Sequence, residues 1–159
     1  MGQIRITGFH EENISSSILN QMEEVIMKTD YQSEKRPYHF VFFRNRDLLN
    51  EIEAFAGEEK CHLDAPLVIL AFADGSTAYA SEDTLKAAGS LQRYMQENGM
   101  QYFFSFRLND TLNQYRYRKI MEMMGVPEGY LLQFTIAAGH FISQEGTEAD
   151  NGSVFSYVQ

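Results

Sequence analysis

The chain has 159 residues and a mass of 18.3 kDa, which suits a single domain over residues 1–159. Hydrophobic residues make up 44% and aromatic residues 13% of the sequence, so a true core is expected and a disordered or fibrous chain is not. The formal net charge of −9 argues against a generic nucleic-acid binder and against a binder of anionic membranes, because both need a basic surface.

Periodicity and turn residues predict an alternation of helices and strands. Helices are predicted over Ser15–Lys28, Asp47–Phe55, Ser81–Asn98 and Asn109–Met124. Strands are predicted over Tyr38–Phe43, Leu67–Ala73, Gln101–Leu108, Tyr130–Ile142 and Val154–Val158. A polar loop is expected over Asp30–Pro37 and a mobile loop over 143–153. Because helices alternate with strands, we expect a mixed sheet covered by helices.

Three of these elements carry more specific expectations. The run Leu67–Ala73 is continuously apolar, as a central strand covered on both faces would be. In the second predicted helix, Leu48, Leu49 and Ile52 are expected to turn inward. In the fourth predicted strand, Gly139 permits a bend.

Cysteine and histidine usage points to a protein of a reducing cytoplasm that holds no metal ion. Cys61 is the one cysteine, which leaves no intrachain disulfide and no thiolate metal cage. The four histidines lack metal-ligand spacing. No secretory signal follows Met1, and no apolar run is long enough to span a bilayer. The neighbours Cys61 and His62 are interpreted as ordinary loop residues in preference to a reactive thiol pair.

Basic residues cluster in three places, although after Lys119 the sequence has no Lys or Arg. The clusters are Lys35-Arg36, Arg44 with Arg46, and Arg116, Arg118 and Lys119. Each fits an anion-binding pocket or a solvated face that balances nearby carboxylates, and the solvated face is favoured for each cluster taken alone. No P-loop, nucleophile elbow or zinc-protease motif occurs. The cations for any bound phosphate must therefore come from the first 119 residues.

Several short motifs follow one another in a recognisable order. They are Ile4-Arg5 with Phe9, Pro37-Tyr38-His39-Phe40-Val41, Ala65-Pro66, Gly99-Met100, Met124-Gly125-Val126-Pro127 and Gly139-His140-Phe141. Their order and spacing resemble those of the FMN-dependent nitroreductase family over most of the chain. The resemblance implies a three-layer α+β fold with a mixed, mainly antiparallel sheet flanked by helices.

The resemblance also implies an assembly and an activity. It implies a homodimer with FMN at the subunit interface, in which Val154–Val158 adds a strand to the partner subunit. Hydride would pass from NAD(P)H through the flavin to a nitroaromatic, a quinone or a similar acceptor. Because the flavin performs this chemistry, no single catalytic side chain is expected.

The resemblance places five residues at the cofactor: Arg5, Glu34, Arg36, Phe106 and Arg107. Arg5 is the arginine retained from the family's opening motif. Glu34 replaces an asparagine, and a carboxylate cannot donate a hydrogen bond to the flavin and would repel its reduced, anionic ring. Arg36 replaces a glutamine and can supply the lost donors. Phe106 and Arg107 replace a glycine-containing loop. Arg107 offers a cation, and Phe106 is expected to face the core in preference to blocking or stacking on the ring.

Two other functions stay open at this point. One is a flavin-free, non-catalytic relative that keeps the dimeric fold for ligand binding or for an interaction role. The other is an interaction module unrelated to flavin. A colourless protein that takes up no added FMN would favour the flavin-free relative over the oxidoreductase.

Overall fold

The structure is a computed structural model that describes residues 4–44, 46–55, 64–145 and 158. Its helices are α1 (Ser16–Lys28), α2 (Arg46–Phe55), α3 (Ala80–Glu97), α4 (Asn109–Leu112) and α5 (Arg118–Met123), with a 3-10 turn over Tyr115–Tyr117. Its strands are β1 (Ile4–Phe9), β2 (Tyr38–Phe43), β3 (Leu67–Asp74), β4 (Gln101–Ser105), β5 (Tyr130–Gly139) and β6 (Phe141–Glu145). None of these helices is long and apolar enough to cross a bilayer.

The main sheet has four strands in the order β2-β3-β5-β4, and each described ladder in it is antiparallel. Strands β1 and β6 form a separate two-stranded antiparallel sheet. Leu67–Ala73 of β3 is buried throughout, which confirms the prediction of a central strand covered on both faces. Strands β2 and β4 are therefore the two edges of the main sheet.

Helices cover both faces of the main sheet, which confirms the three-layer α+β architecture. On one face, Met22 of α1 and Leu91 of α3 pack on alternate residues of β3 and β5. On the other face, Leu49 of α2, Leu112 of α4 and Met121 of α5 form a second cluster. Each helix thus buries one apolar stripe against the sheet.

A buried carboxylate holds the loop between α1 and β2 in place. Asp83 in the first turn of α3 has no exposed surface, and it accepts hydrogen bonds from the backbone N–H groups of Gln32 at 2.9 Å and Ser33 at 3.1 Å. These contacts position the next residues of the loop, which include Glu34 and Arg36.

The predicted helix over Asn109–Met124 is wrong, because the structure divides it into α4, the 3-10 turn and α5. The Asn113 side chain donates to the carbonyl of Leu132 at 3.1 Å and accepts from its N–H at 2.7 Å. Gln114 then takes an extended conformation with ψ 143°. This tie to β5 competes with continuation of the helix.

Two further predictions fail at the ends of elements. Strand β4 stops at Ser105, three residues short of the predicted Leu108. Leu48 is 44% exposed and does not face the core with Leu49 and Ile52. Leu48 lies about 40° around the helix from Ile52, on the side away from Leu49, and so at the margin of the stripe that meets the sheet.

The bend expected at Gly139 is large enough to end β5. A Cβ atom on Gly139 would lie 2.6 Å from Cγ of Pro66, so these two segments of the chain approach as closely as glycine allows. Beyond the bend, β6 pairs with β1, a strand that the sequence pattern does not predict. The expected loop over 143–153 therefore begins inside β6. Its remainder lies outside the described residues, as do Cys61, His62 and the expected final strand apart from Val158.

Candidate functional site

A groove lies between α1 and the outer edge of β2, beside the loop that carries Glu34 and Arg36. It has a volume of about 490 Å³. Its walls are Glu23, Ile26 and Met27 of α1, together with Arg36, Tyr38, His39, Phe40 and Phe42. Glu34 and Arg36 are both exposed, and within the described part of the chain neither side chain has a hydrogen bond or an ion pair. Arg36 is thus a cation free to meet a ligand.

The described walls of this groove include one cation, Arg36, and one carboxylate, Glu23, while burial favours the neutral form of its histidine. Burial lowers the pKa of His39 below its ordinary value. The aromatic rings of Tyr38 and Phe40 meet edge to face, with centroids 5.5 Å apart. The groove therefore offers an aromatic wall next to an arginine, an arrangement suited to a flat ligand with a negative charge.

Phe106 and Arg107 lie at the opposite edge of the sheet, in the turn after β4. Phe106 is 64% exposed, so the expectation that it faces the core is wrong. It escapes the core because β4 ends at Ser105, whose hydroxyl accepts a hydrogen bond from the N–H of Arg107 at 3.3 Å. Arg107 is exposed, and its guanidinium has no ion pair among the described residues.

One chain does not bring the five predicted residues together. Strands β2 and β4 are separated by β3 and β5, so the two edge strands are about 14 Å apart. Glu34 and Arg36 lie in the loop before one edge strand, and Phe106 and Arg107 lie in the turn after the other. The backbone of Arg5 belongs to β1, opposite Gln144 in the smaller sheet, and its side chain lies outside the described residues. The five predicted residues therefore lie in three separate places: the loop before β2, the turn after β4, and β1.

Sequence reasoning missed a second exposed feature, which we call the Gln133 surface. It comprises the exposed apolar side chains of Tyr79, Leu85, Phe106 and Leu131, carried by elements that meet at Gln133. Ser81 of α3 donates to the Gln133 side chain at 3.0 Å, and Asn109 of α4 donates to its carbonyl at 2.7 Å. The available signal was Leu85, an apolar residue on the otherwise polar face of the α3 pattern.

Two of the predicted basic clusters make structural contacts. The Arg44 guanidinium donates to the carbonyl of Ile14 at 3.0 Å, next to the start of α1. Arg118 pairs with Glu128 at 2.9 Å and with Glu122 at 3.4 Å. The Arg118 pairs fit the interpretation of a charge-balanced face, whereas Arg44 binds a backbone carbonyl. Within the described residues, no three His, Cys, Asp or Glu side chains are grouped to hold a metal ion.

Comparison with known proteins finds similarity in structure and not in sequence. No family model and no curated protein matches the chain. An FMN-bound nitroreductase from Desulfitobacterium hafniense matches with a TM-score of 0.73 at 15% identity, over 99% of this chain and 95% of that one. An FMN-bound nitroreductase from Bacteroides fragilis matches with a TM-score of 0.75 at 16% identity, over 95% of this chain and 93% of that one.

A third match has a different activity. An iodotyrosine deiodinase bound to FMN and 3-iodo-L-tyrosine matches with a TM-score of 0.63 at 15% identity, over 97% of this chain and 94% of that one. At these identities the matches establish the fold. The chain therefore has the nitroreductase fold, which confirms the resemblance drawn from the sequence at the level of the fold.

Proposed function

We propose that the chain is an FMN-dependent oxidoreductase of the nitroreductase type, with its cofactor held between two copies of the chain. The observation that carries this proposal is the match of fold over nearly the whole chain to proteins solved with FMN bound. Because fold alone does not fix function, the residues of this chain must also suit the cofactor.

Two exposed arginines and an aromatic groove support the binding of FMN. A phosphate near pH 7 carries almost two negative charges and needs cations or fixed donors. Arg36 and Arg107 are both exposed, and neither guanidinium is paired within the described residues. The aromatic groove beside Arg36 supplies a flat apolar wall of the kind that ligand sites use.

A second copy of the chain accounts for features that one copy leaves incomplete. The two pairs of candidate residues lie beside opposite edge strands of the sheet, and these strands are about 14 Å apart, so a cofactor that meets both pairs is best reached from two subunits. The Gln133 surface exposes four apolar side chains, and monomers rarely leave such a patch uncovered. We propose that the dimer contact lies there.

In this arrangement each candidate residue has a binding role. Arg5, Arg36 and Arg107 hold negative charge on the phosphate or the ring. Phe106 would exclude water from the ring, and Glu34 would accept a hydrogen bond from a ring N–H. Bound FMN supplies hydride transfer between NAD(P)H and an acceptor such as a nitroaromatic or a quinone. No side chain of this chain is needed as an acid or a base.

A flavin-free relative with a ligand-binding or interaction role is the second candidate, and Glu34 favours it. Its exposed carboxylate forms no ion pair with a described residue, so it would repel a reduced, anionic ring. The absence of Lys and Arg after Lys119 adds to the same deficit of positive charge.

An anaerobic redox titration tests the proposal. Protein loaded with FMN and freed of excess cofactor should lose its flavin absorbance when NADH or NADPH is added and regain it with a nitroaromatic or a quinone. Free FMN at the same concentration is the control. Protein that binds FMN but is not reduced by either nucleotide would overturn the oxidoreductase, and protein that stays colourless would favour the flavin-free relative.

A further inference from the structure

A second concave site lies on the other face of the sheet, between α2 and α5. This α2–α5 cleft has a volume of about 380 Å³. Its walls are Leu48, Glu51 and Ile52 of α2, with Ile120, Met123 and Met124 from α5 and its C-terminal cap. A volume of this size falls in the range of small-molecule pockets, about 300–1,000 Å³.

Two of the apolar walls of the α2–α5 cleft, Leu48 and Met123, are side chains that the core does not bury. Leu49 of α2 is 1% exposed and faces the sheet, whereas Leu48 is 44% exposed. Met123 is 84% exposed, although the neighbouring Met121 is buried. Thioether side chains adapt to ligands of different shape, so two methionines at the rim favour a binding surface of broad tolerance.

The charge of the α2–α5 cleft comes from one carboxylate. Among the described residues that line it, Glu51 is the charged one, and no ion pair or hydrogen bond within the described chain engages its side chain. The whole chain carries a net charge of −9. Both the local and the overall charge are complementary to a cation and oppose an anion of the same shape.

We propose that the α2–α5 cleft binds small hydrophobic amines, with the apolar body between Leu48 and Met123 and the ammonium group on the Glu51 carboxylate. A cationic head adds a charge-assisted hydrogen bond to the apolar contact. This site is separate from the groove beside Arg36 and does not depend on flavin binding.

A set of isosteric probes tests the proposal on the wild-type protein. The probes are 4-phenylbutylamine, 4-phenylbutanol and 4-phenylbutyrate, which share an apolar body and differ in head group. With about eleven non-hydrogen atoms, such a probe is expected to bind in the millimolar to submillimolar range. NMR of protein labelled at the methionine methyl groups should show shifts at Met123 and Met124, and the amine should bind about fivefold or more tightly than the alcohol.

Matched variants separate the head-group contact from the apolar contact. Glu51→Gln should remove the preference for the amine over the alcohol, while Glu24→Gln, an exposed carboxylate on α1, should preserve it. Leu48→Ala should weaken all three probes together. Equal affinities for amine, alcohol and carboxylate, or an unchanged preference in Glu51→Gln, would overturn the proposal. Shifts confined to other methionines would overturn it as well.

Discussion

Asp83 positions the loop that carries two of the candidate cofactor residues, Glu34 and Arg36. It is fully buried, and its two backbone hydrogen bonds fix the loop that carries Glu34 and Arg36. Burial by itself would raise the pKa of Asp83, but the N–H groups of Gln32 and Ser33 outweigh burial and lower it. The ionised form is therefore the one that the folded loop prefers.

Asp83→Ala is expected to lower the free energy of unfolding by about 2–3 kcal/mol at neutral pH, because two backbone donors lose their acceptor. The pKa of Asp83 is lower in the folded state, so its contribution is present above the unfolded-state pKa of about 4 and is lost as pH falls through the lowered folded value. Urea denaturation at neutral and acidic pH should therefore show the gap to wild type narrowing in acid.

Glu82→Ala is the matched control for Asp83, because Glu82 is an exposed carboxylate in the same first turn of α3. Glu82 interacts with the helix dipole as Asp83 does, but among the described residues it makes no hydrogen bond to the loop. Glu82→Ala should therefore lower the free energy of unfolding by no more than about 1 kcal/mol. Equal losses in the two variants would refute the role assigned to the loop hydrogen bonds.

At the residue scale, local chemistry is predictable and exposure is less so. Ser15 caps α1, and its hydroxyl accepts a hydrogen bond from the N–H of Ile18 at 3.2 Å. Leu48 and Phe106 look like core residues in sequence, but both are exposed. Leu48 lies at the margin of the buried stripe of α2, and β4 ends before it reaches Phe106. Because both were predicted to be buried, the sequence did not indicate Leu48 as a wall of the α2–α5 cleft or Phe106 as part of the Gln133 surface.

At the scale of elements, Gly139 separates the main sheet from the β1–β6 sheet. Its φ is +156°, and a Cβ there would meet Cγ of Pro66 at 2.6 Å, Cδ of Pro66 at 2.7 Å and Cδ1 of Phe9 at 3.0 Å. The bend thus depends on two segments, at Pro66 and at Phe9, lying against a backbone that carries no side chain. It directs β6 to β1, the strand that contains Arg5.

Gly139→Ala is expected to lower the free energy of unfolding by about 2–3 kcal/mol, because the buried Pro66 ring cannot yield without moving the backbone. Denaturant unfolding measures the loss, and a double-mutant cycle with Pro66→Ala assigns its cause. The double variant should recover part of the loss, since it removes the ring atoms that the new methyl group meets. Strictly additive losses would show that the contact with Pro66 is not responsible.

Elements with a continuous pattern were predictable, and those interrupted by tertiary contacts were not. The apolar run of β3 and the amphipathic pattern of α1 give nearly the observed boundaries. The break between α4 and α5 follows from Asn113 binding to Leu132, nineteen positions away in sequence. No local signal specifies that partner, so periodicity predicts one long helix there.

At the scale of the whole molecule, the Gln133 surface and the acidic charge set the conditions for assembly. Leu85 is 61% exposed and Phe106 is 64% exposed, both within this surface. Each copy carries a net charge of −9, so association must overcome repulsion by burying apolar area. Self-association should therefore strengthen with added salt, which screens the charge.

Leu85→Glu is expected to weaken the dimer about tenfold or more, because it places a carboxylate in the proposed contact. Sedimentation velocity over a range of protein concentrations measures the change. Tyr115→Ser is the control, since Tyr115 is 85% exposed but lies outside the Gln133 surface. A wild-type chain that stays monomeric would refute the dimer. A Leu85→Glu variant that dimerises as wild type does would show that the contact lies elsewhere.

A fluorescence titration of FMN with the purified, flavin-free protein tests most directly whether this chain is a flavoprotein. Saturable quenching is expected at about one FMN per chain. Arg36→Ala and Arg5→Ala should each weaken the free energy of FMN binding by about 1.5–3 kcal/mol, the scale of a charge-assisted hydrogen bond. Arg93→Ala, which removes an exposed arginine of α3, should bind FMN as wild type does. FMN fluorescence that does not change on addition of the protein would show that the chain does not bind FMN.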